Sequence, residues 1–219
     1  MENLYIGVDP SINSTGVTIR RVVDGDTVEV LFYIIKGNLH EIKKDGTEKS
    51  PLTSAEIKCA NCHTNFHYIL YNKHAIDPKL SNAENERLKT TNFINIVDKV
   101  KEVIDSAVFK FKPNNIYIVQ EGISYGSATH TKSIFDLAGL NFLLRKMIAD
   151  TFGINTLIIA SPSEIKKFAT GLGNAKKELL IATFLSIFED MKDVPKVDDI
   201  ADSYFMARLG ETMSLTINT

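Results

Sequence analysis

The sequence predicts an α/β protein: a five-stranded mixed sheet whose first three strands are antiparallel, flanked by helices, with an insertion after the third strand. Three observations lead there. Three apolar, strand-like runs open the chain, joined by short turns. From residue 82 onward helical and strand periodicities alternate, the order that lays helices on the faces of a sheet. Between these blocks lies a polar stretch, residues 36–81, with little periodicity.

The first runs cover residues 4–9, 16–23 and 28–35, and Asp24-Gly25-Asp26 marks the clearest turn between them. Consecutive strands on short turns read as an antiparallel meander. Residues 36–81 contain Gly37, Gly46, Pro51 and Pro78 and read as an insertion with local structure of its own, including a hairpin around Phe66 and Tyr71. A helix starts at Asn82 with Ser81 or Asn82 as its cap, because Leu88, Phe93, Ile96, Val97, Val100, Val103 and Ile104 recur at helical spacing. Residues 116–121 form the fourth strand. A helix over 133–152 is closed by Gly153. Residues 155–160 are the fifth strand. Helices follow at 161–167, 175–188 and 198–209, with a Gly-rich loop at 171–174.

The 219 residues suit one large domain spanning 1–219. With 44% hydrophobic and 24% charged residues the composition is that of an ordinary soluble protein. No apolar run approaches the roughly 20 residues that cross a bilayer, and Met1-Glu2-Asn3-Leu4 lacks the basic start of a secretory signal. A cytoplasmic setting with no membrane is the expectation. The net charge of -2 gives no global attraction to nucleic acid, so such a partner would be held by local basic patches.

Two strands end in acids, Asp9 and Glu121. An acid at a strand end is costly to bury unless it is paired or holds a cation; the competing reading of Asp9 is a turn former before Pro10. If the two strands are parallel neighbours, both acids emerge at the sheet edge where open α/β sheets place their sites. Asp199 and Asp202, three apart, share a face of the last helix, beside the apolar Ile200, Tyr204 and Ala207. Asp198 fits an N-terminal cap better. Four carboxylates meeting at one point would repel each other unless a hard divalent cation, Mg²⁺ or Mn²⁺, balances them. Two such ions serve phosphodiester hydrolysis with water as nucleophile.

At these residues the chain resembles the RuvC-type Holliday-junction resolvases of the RNase H-like superfamily. The resemblance rests on Gly7-Val8-Asp9-Pro10-Ser11 with Thr15-Gly16, on Val119-Gln120-Glu121, and on Asp199-Ile200-Ala201-Asp202-Ser203. Glu86-Arg87-Leu88 and Gly171-Leu172-Gly173-Asn174-Ala175-Lys176-Lys177 are similar to further family segments, and only about residues 36–81 fall outside the match. The insertion and the Asp-Asp-Ile-Ala-Asp-Ser run are similar to viral and phage members. The resemblance implies a homodimeric endonuclease that nicks two strands of a four-way DNA junction with two Mg²⁺ or Mn²⁺ ions per site. It makes Asp9, Glu121, Asp199 and Asp202 catalytic metal ligands and Lys166 and Lys177 DNA contacts. Tyr125 stands, displaced by a residue, where the family carries an aromatic near the junction centre. Flaps, branched replication intermediates and RNA–DNA hybrids are the alternative substrates, and an actin-like ATP-binding domain is a more distant reading.

Two further groups stand out. Lys166, Lys167, Lys176 and Lys177 flank the Gly171-Leu172-Gly173 turn, where a helix start at Asn174 and lysines suit a phosphate; a solvated helix face is the alternative. Cys59, Cys62, His67 and His74 have the donor types for one Zn²⁺ in the insertion, at loose spacing; plain local packing is the favoured alternative.

Overall fold

The structure is a computed structural model and describes residues 1–42, 46–123 and 131–217. Six strands form one mixed sheet: β1 (Glu2–Asp9), β2 (Ser14–Val23), β3 (Asp26–Asn38), β4 (Phe66–Asn72), β5 (Asn115–Glu121) and β6 (Leu157–Ala160), in the order β4-β3-β2-β1-β5-β6. The expected antiparallel meander is present as β1-β2-β3. Its tightest turn has Asp24 and Gly25 at φ 51° and 95°, the two positive values that a two-residue hairpin requires. β5 pairs parallel with β1, and β6 parallel with β5.

The sheet has one strand more than expected. The stretch around Phe66 and Tyr71 is not a hairpin. It is the single strand β4, parallel to β3. A parallel partner needs a crossover, and α1 (Ser54–Cys62) supplies it. Thr53 and Glu56 cap α1 reciprocally, and Lys36 Nζ on β3 donates to both Glu56 carboxylate oxygens, at 2.7 and 2.8 Å. The insertion is thereby bolted to the sheet it extends.

Helices α2 (Asn82–Phe111) and α3 (Thr131–Phe152) cover one face; α4 (Pro162–Thr170), α5 (Lys177–Leu185) and α6 (Val197–Ile217) cover the other. Ser81 with Glu84 closes a capping box at the start of α2, and Ser161 with Glu164 does so for α4. Strand alternation assigns the faces. Leu4, Ile6, Val8 and Ile118 enter the core under α2 and α3, while Val119 enters the core under α6. Residues 154–156 form a 3-10 turn that shortens β6, and α6 runs past the expected residue 209 to Ile217. No described helix is long and apolar enough to cross a membrane.

Candidate active site

The period of two decides where the acids go. Tyr5 and Gly7 face α6, so Asp9 continues that set; Val119 does the same for Glu121. Val8 pairs with Gln120 in the parallel register, which sets Asp9 and Glu121 side by side at the carboxyl ends of adjacent strands.

α6 reaches this edge because two positions of the sheet beneath it, Gly7 and Gly16, carry no side chain. A Cβ on Gly7 would overlap the Ser203 carbonyl oxygen and lie 2.8 Å from the Ala207 nitrogen. A Cβ on Gly16, the register partner of Asp9, would lie 2.9 Å from the Asp199 carbonyl carbon and 3.4 Å from Asp199 Cβ. The two glycines let the helix backbone rest on the strands. On the helix side, Ser203, Ala207 and Gly210 are correspondingly small.

β2 then fixes the register of α6. Ser14 Oγ donates to Asp199 Oδ2 at 2.5 Å, Thr18 Oγ1 meets Ser203 Oγ at 2.7 Å, and Arg20 pairs with Glu211 at 2.6 Å. These are alternate strand residues meeting helix residues spaced in multiples of four. From Ser14 to Arg20 the strand advances about 20 Å and from Asp199 to Glu211 the helix advances about 18 Å, so the two ends of the contact agree. The Ser14 contact was not foreseen, although the alternation Ser14, Gly16, Thr18, Arg20 is a visible polar stripe in an otherwise apolar strand.

The four acids sense one another. Burial, then the charges of Asp202, Glu121 and Asp199, hold the Asp9 carboxyl well above the ordinary carboxylate range, while Lys177 pulls the other way. Burial and Asp202 push Glu121 up to about 7, against Lys166 and Lys177. Burial raises Asp199 despite its bond from Ser14, and burial raises Asp202 despite Lys177. Asp198 goes the other way. Burial opposes its charge, but the Lys177 ammonium and the backbone N–H groups of residues 198 and 199 outweigh it. It sits in the first turn of α6, where free backbone N–H groups stabilise an acid.

These donors are all carboxylate oxygens, crowded and short of counter-charge, the chemistry that suits Mg²⁺ or Mn²⁺. As they stand, no three His, Cys, Asp or Glu side chains among the described residues are grouped to hold an ion. A cation would have to draw the carboxylates inward.

Of the basic residues, Lys177 opens α5 and its Nζ lies 2.8 Å from Asp198 Oδ2 and 3.6 Å from Asp202 Oδ2. Lys166 on α4 is half-buried and its charge reaches Glu121. Lys176 is exposed at the cap position of α5 and makes no side-chain capping bond there; the helix begins at Lys177 and not at Asn174. Tyr125 lies outside the described residues.

Cys59, Cys62, His67 and His74 are not brought to one point. Cys59 and Phe66 belong to the core on the α6 side, where burial and Cys62 push the Cys59 thiol up to about 11. His67 follows Phe66 and so faces the other side of β4, 5.1 Å from the Tyr33 ring. His74 is exposed beyond the strand, its backbone N–H bonded to Asn92. The sheet itself separates the donors.

The structure is similar to Thermus thermophilus RuvC, at 16% identity over 100% of this chain and 98% of that one, with a TM-score of 0.45. It is similar to the same protein in complex with Holliday junction substrate, at 15% identity over 99% and 97% of the two chains and a TM-score of 0.45. The yeast mitochondrial Holliday junction resolvase Ydc2 matches at 13% identity over 92% of this chain and 76% of that one, TM-score 0.45. No protein-family model matches the chain, and no curated protein matches it in sequence.

Proposed function

We propose that this chain is a metal-dependent endonuclease that acts in the cytoplasm on branched DNA, with the four-way junction as its substrate and a homodimer as its working form. The observation that carries the reading is the convergence on Asp9. An acid ending each of two parallel neighbouring strands and two acids of one helix share a single electrostatic neighbourhood. Such a set has no evident structural purpose, since mutual repulsion opposes folding.

Asp9, Glu121, Asp199 and Asp202 are the residues that would hold Mg²⁺ or Mn²⁺, as one ion or two. When bound, the metal supplies an activated water and stabilises charge on the departing phosphate oxygen. The chain's own residues do the rest. Asp9 feels the charge of the other three acids. Ser14 orients Asp199 by its hydrogen bond. Glu121, shifted to about 7, holds or releases a proton near neutral pH. Lys166, whose charge reaches Glu121, and the exposed Lys167 and Lys176 would neutralise backbone phosphates. Phe135 and Phe142 leave an exposed aromatic face on α3, suited to a second copy of the chain.

The test is cleavage of a synthetic four-way junction, a flap, an RNA–DNA hybrid and linear duplex, in Mg²⁺, Mn²⁺ or EDTA. Paired symmetric nicks on the junction alone, lost in EDTA and in Asp9→Asn, are expected, with Asp9→Asn still binding the junction. Cutting in EDTA would remove the metal mechanism. Equal cutting of linear duplex would remove the structure selectivity, and preference for the flap or hybrid would reassign the substrate.

A further inference from the structure

We propose that Lys177 is a resident counter-ion of the acidic site, which an incoming divalent cation must displace from Asp202. The inference rests on the metal-binding reading of the four acids. Its observation is separate from theirs: one ammonium engages Asp198 at 2.8 Å and Asp202 at 3.6 Å. Asp202 is a candidate metal ligand, whereas Asp198 is not. The lysine therefore touches one residue that the metal needs and one that it does not.

Two cations on one carboxylate repel each other, at an energy that falls only as the inverse of their separation. Metal at Asp202 thus drives the ammonium toward Asp198, which serves as its parking place. The movement asks little of the fold. Leu180 and Phe184 anchor α5 in the core, so the helix stays in place. The Lys177 side chain is 49% exposed and swings on a flexible stem. Without metal, the lysine relieves part of the repulsion among the acids. With metal, it is redundant there and is turned toward solvent, where a phosphate could meet it. Lys177 is on this account a positioning residue whose state reports metal loading, and DNA contact by Lys177 follows metal entry.

The test is a Mn²⁺ titration of the full chain, read by the electron paramagnetic resonance of free Mn²⁺, with thermal unfolding measured in parallel. Wild type, Lys177→Met, Lys177→Arg and the neighbouring Lys176→Met are compared. Lys177→Met should bind Mn²⁺ about fivefold tighter or more, the scale of a partly exposed ion pair with two acids. Its unfolding midpoint should lie below wild type in EDTA, and saturating Mn²⁺ should close the gap. Lys177→Arg, which keeps the charge, and Lys176→Met, which lacks the contact, should bind within about twofold of wild type. Lys177→Gln repeats the measurement if the Met variant folds poorly. Equal or weaker Mn²⁺ binding by Lys177→Met would overturn the proposal, as would equal tightening by Lys176→Met. No Mn²⁺ binding by any of the proteins would instead overturn the metal reading of the site, and this inference with it.

Discussion

Gly7→Ala is the sharpest test of how this site is assembled, because it adds one methyl group to a residue that bears no chemistry. The new Cβ would overlap the Ser203 carbonyl oxygen and sit 2.8 Å from the Ala207 nitrogen and the Ser203 carbonyl carbon. These are backbone atoms of α6, so no side chain can rotate out of the way. Ordinary carbon contacts begin near about 3.5 Å, so α6 must retreat by about 1 Å or more. The retreat strains the Thr18–Ser203 hydrogen bond at 2.7 Å and lifts Asp199 and Asp202 away from Asp9. Overpacking of this kind costs about 1–3 kcal/mol. For a chain of this length that lowers the unfolding midpoint by roughly 3–10 °C. Cleavage should fall further than stability, by about 100-fold, since a displacement of about 1 Å at a reacting centre has that effect. The assays are thermal unfolding and single-turnover nicking of a four-way junction at a temperature where the variant is folded. Gly139→Ala is the control: it lies on helix α3 with, among the described residues, only Phe93 Cε2, 3.8 Å away, near its added methyl, and should gain up to about 1 kcal/mol. Wild-type midpoint and wild-type cleavage in Gly7→Ala would refute the claim that glycine contact positions the acids.

Other outcomes follow from the same geometry. In EDTA, the raised carboxyl of Glu121 contributes stability that is fully present below its ordinary 4.5 and lost as pH rises to about 7; Glu121→Gln should flatten that part of a midpoint-against-pH curve, and an unchanged slope would contradict it. Mn²⁺ affinity should rise with pH through about 7, because Glu121 must release its proton to bind, and titrations at several pH values check this. Lys36→Met removes the cation from the buried Glu56 carboxylate, which keeps its bond from the Thr53 N–H, and should cost about 3 kcal/mol, with faster proteolysis between α1 and β4; wild-type protection there would show that the pair does not hold the insertion. Thr18→Val leaves Ser203 bonded to the Ile200 carbonyl but deletes the cross-link from β2 to α6, for a loss of about 1–2 kcal/mol by urea unfolding.

The meander was legible because Asp24-Gly25 has the turn chemistry of a two-residue hairpin and the flanking runs are apolar. The α2 start was legible because Ser81 is a capping residue just ahead of a run with helical spacing; Glu84, which completes the cap, was seen only in the structure. β4 was recognised as strand-like, but its partner was not, since Phe66-His67-Tyr68-Ile69-Leu70-Tyr71 carries no mark saying whether it folds back on itself or crosses over to β3. The pairing of Lys177 with Asp198 and Asp202 was equally hidden: residues on two helices are neighbours only after both dock on the sheet. Cys59 and His67 show the converse, being near in sequence yet assigned to opposite faces by strand alternation.

By itself the sequence determined the order of elements outside residues 36–81 and singled out four acids as candidates, because periodicity, caps and turn residues act over a few positions. Tertiary structure decided which acids feel one another's charge, through the register of β1 with β5 and through Gly7 and Gly16 admitting the backbone of α6. Those are long-range contacts, and no local pattern encodes the distance between two strands or the depth to which a helix settles on them.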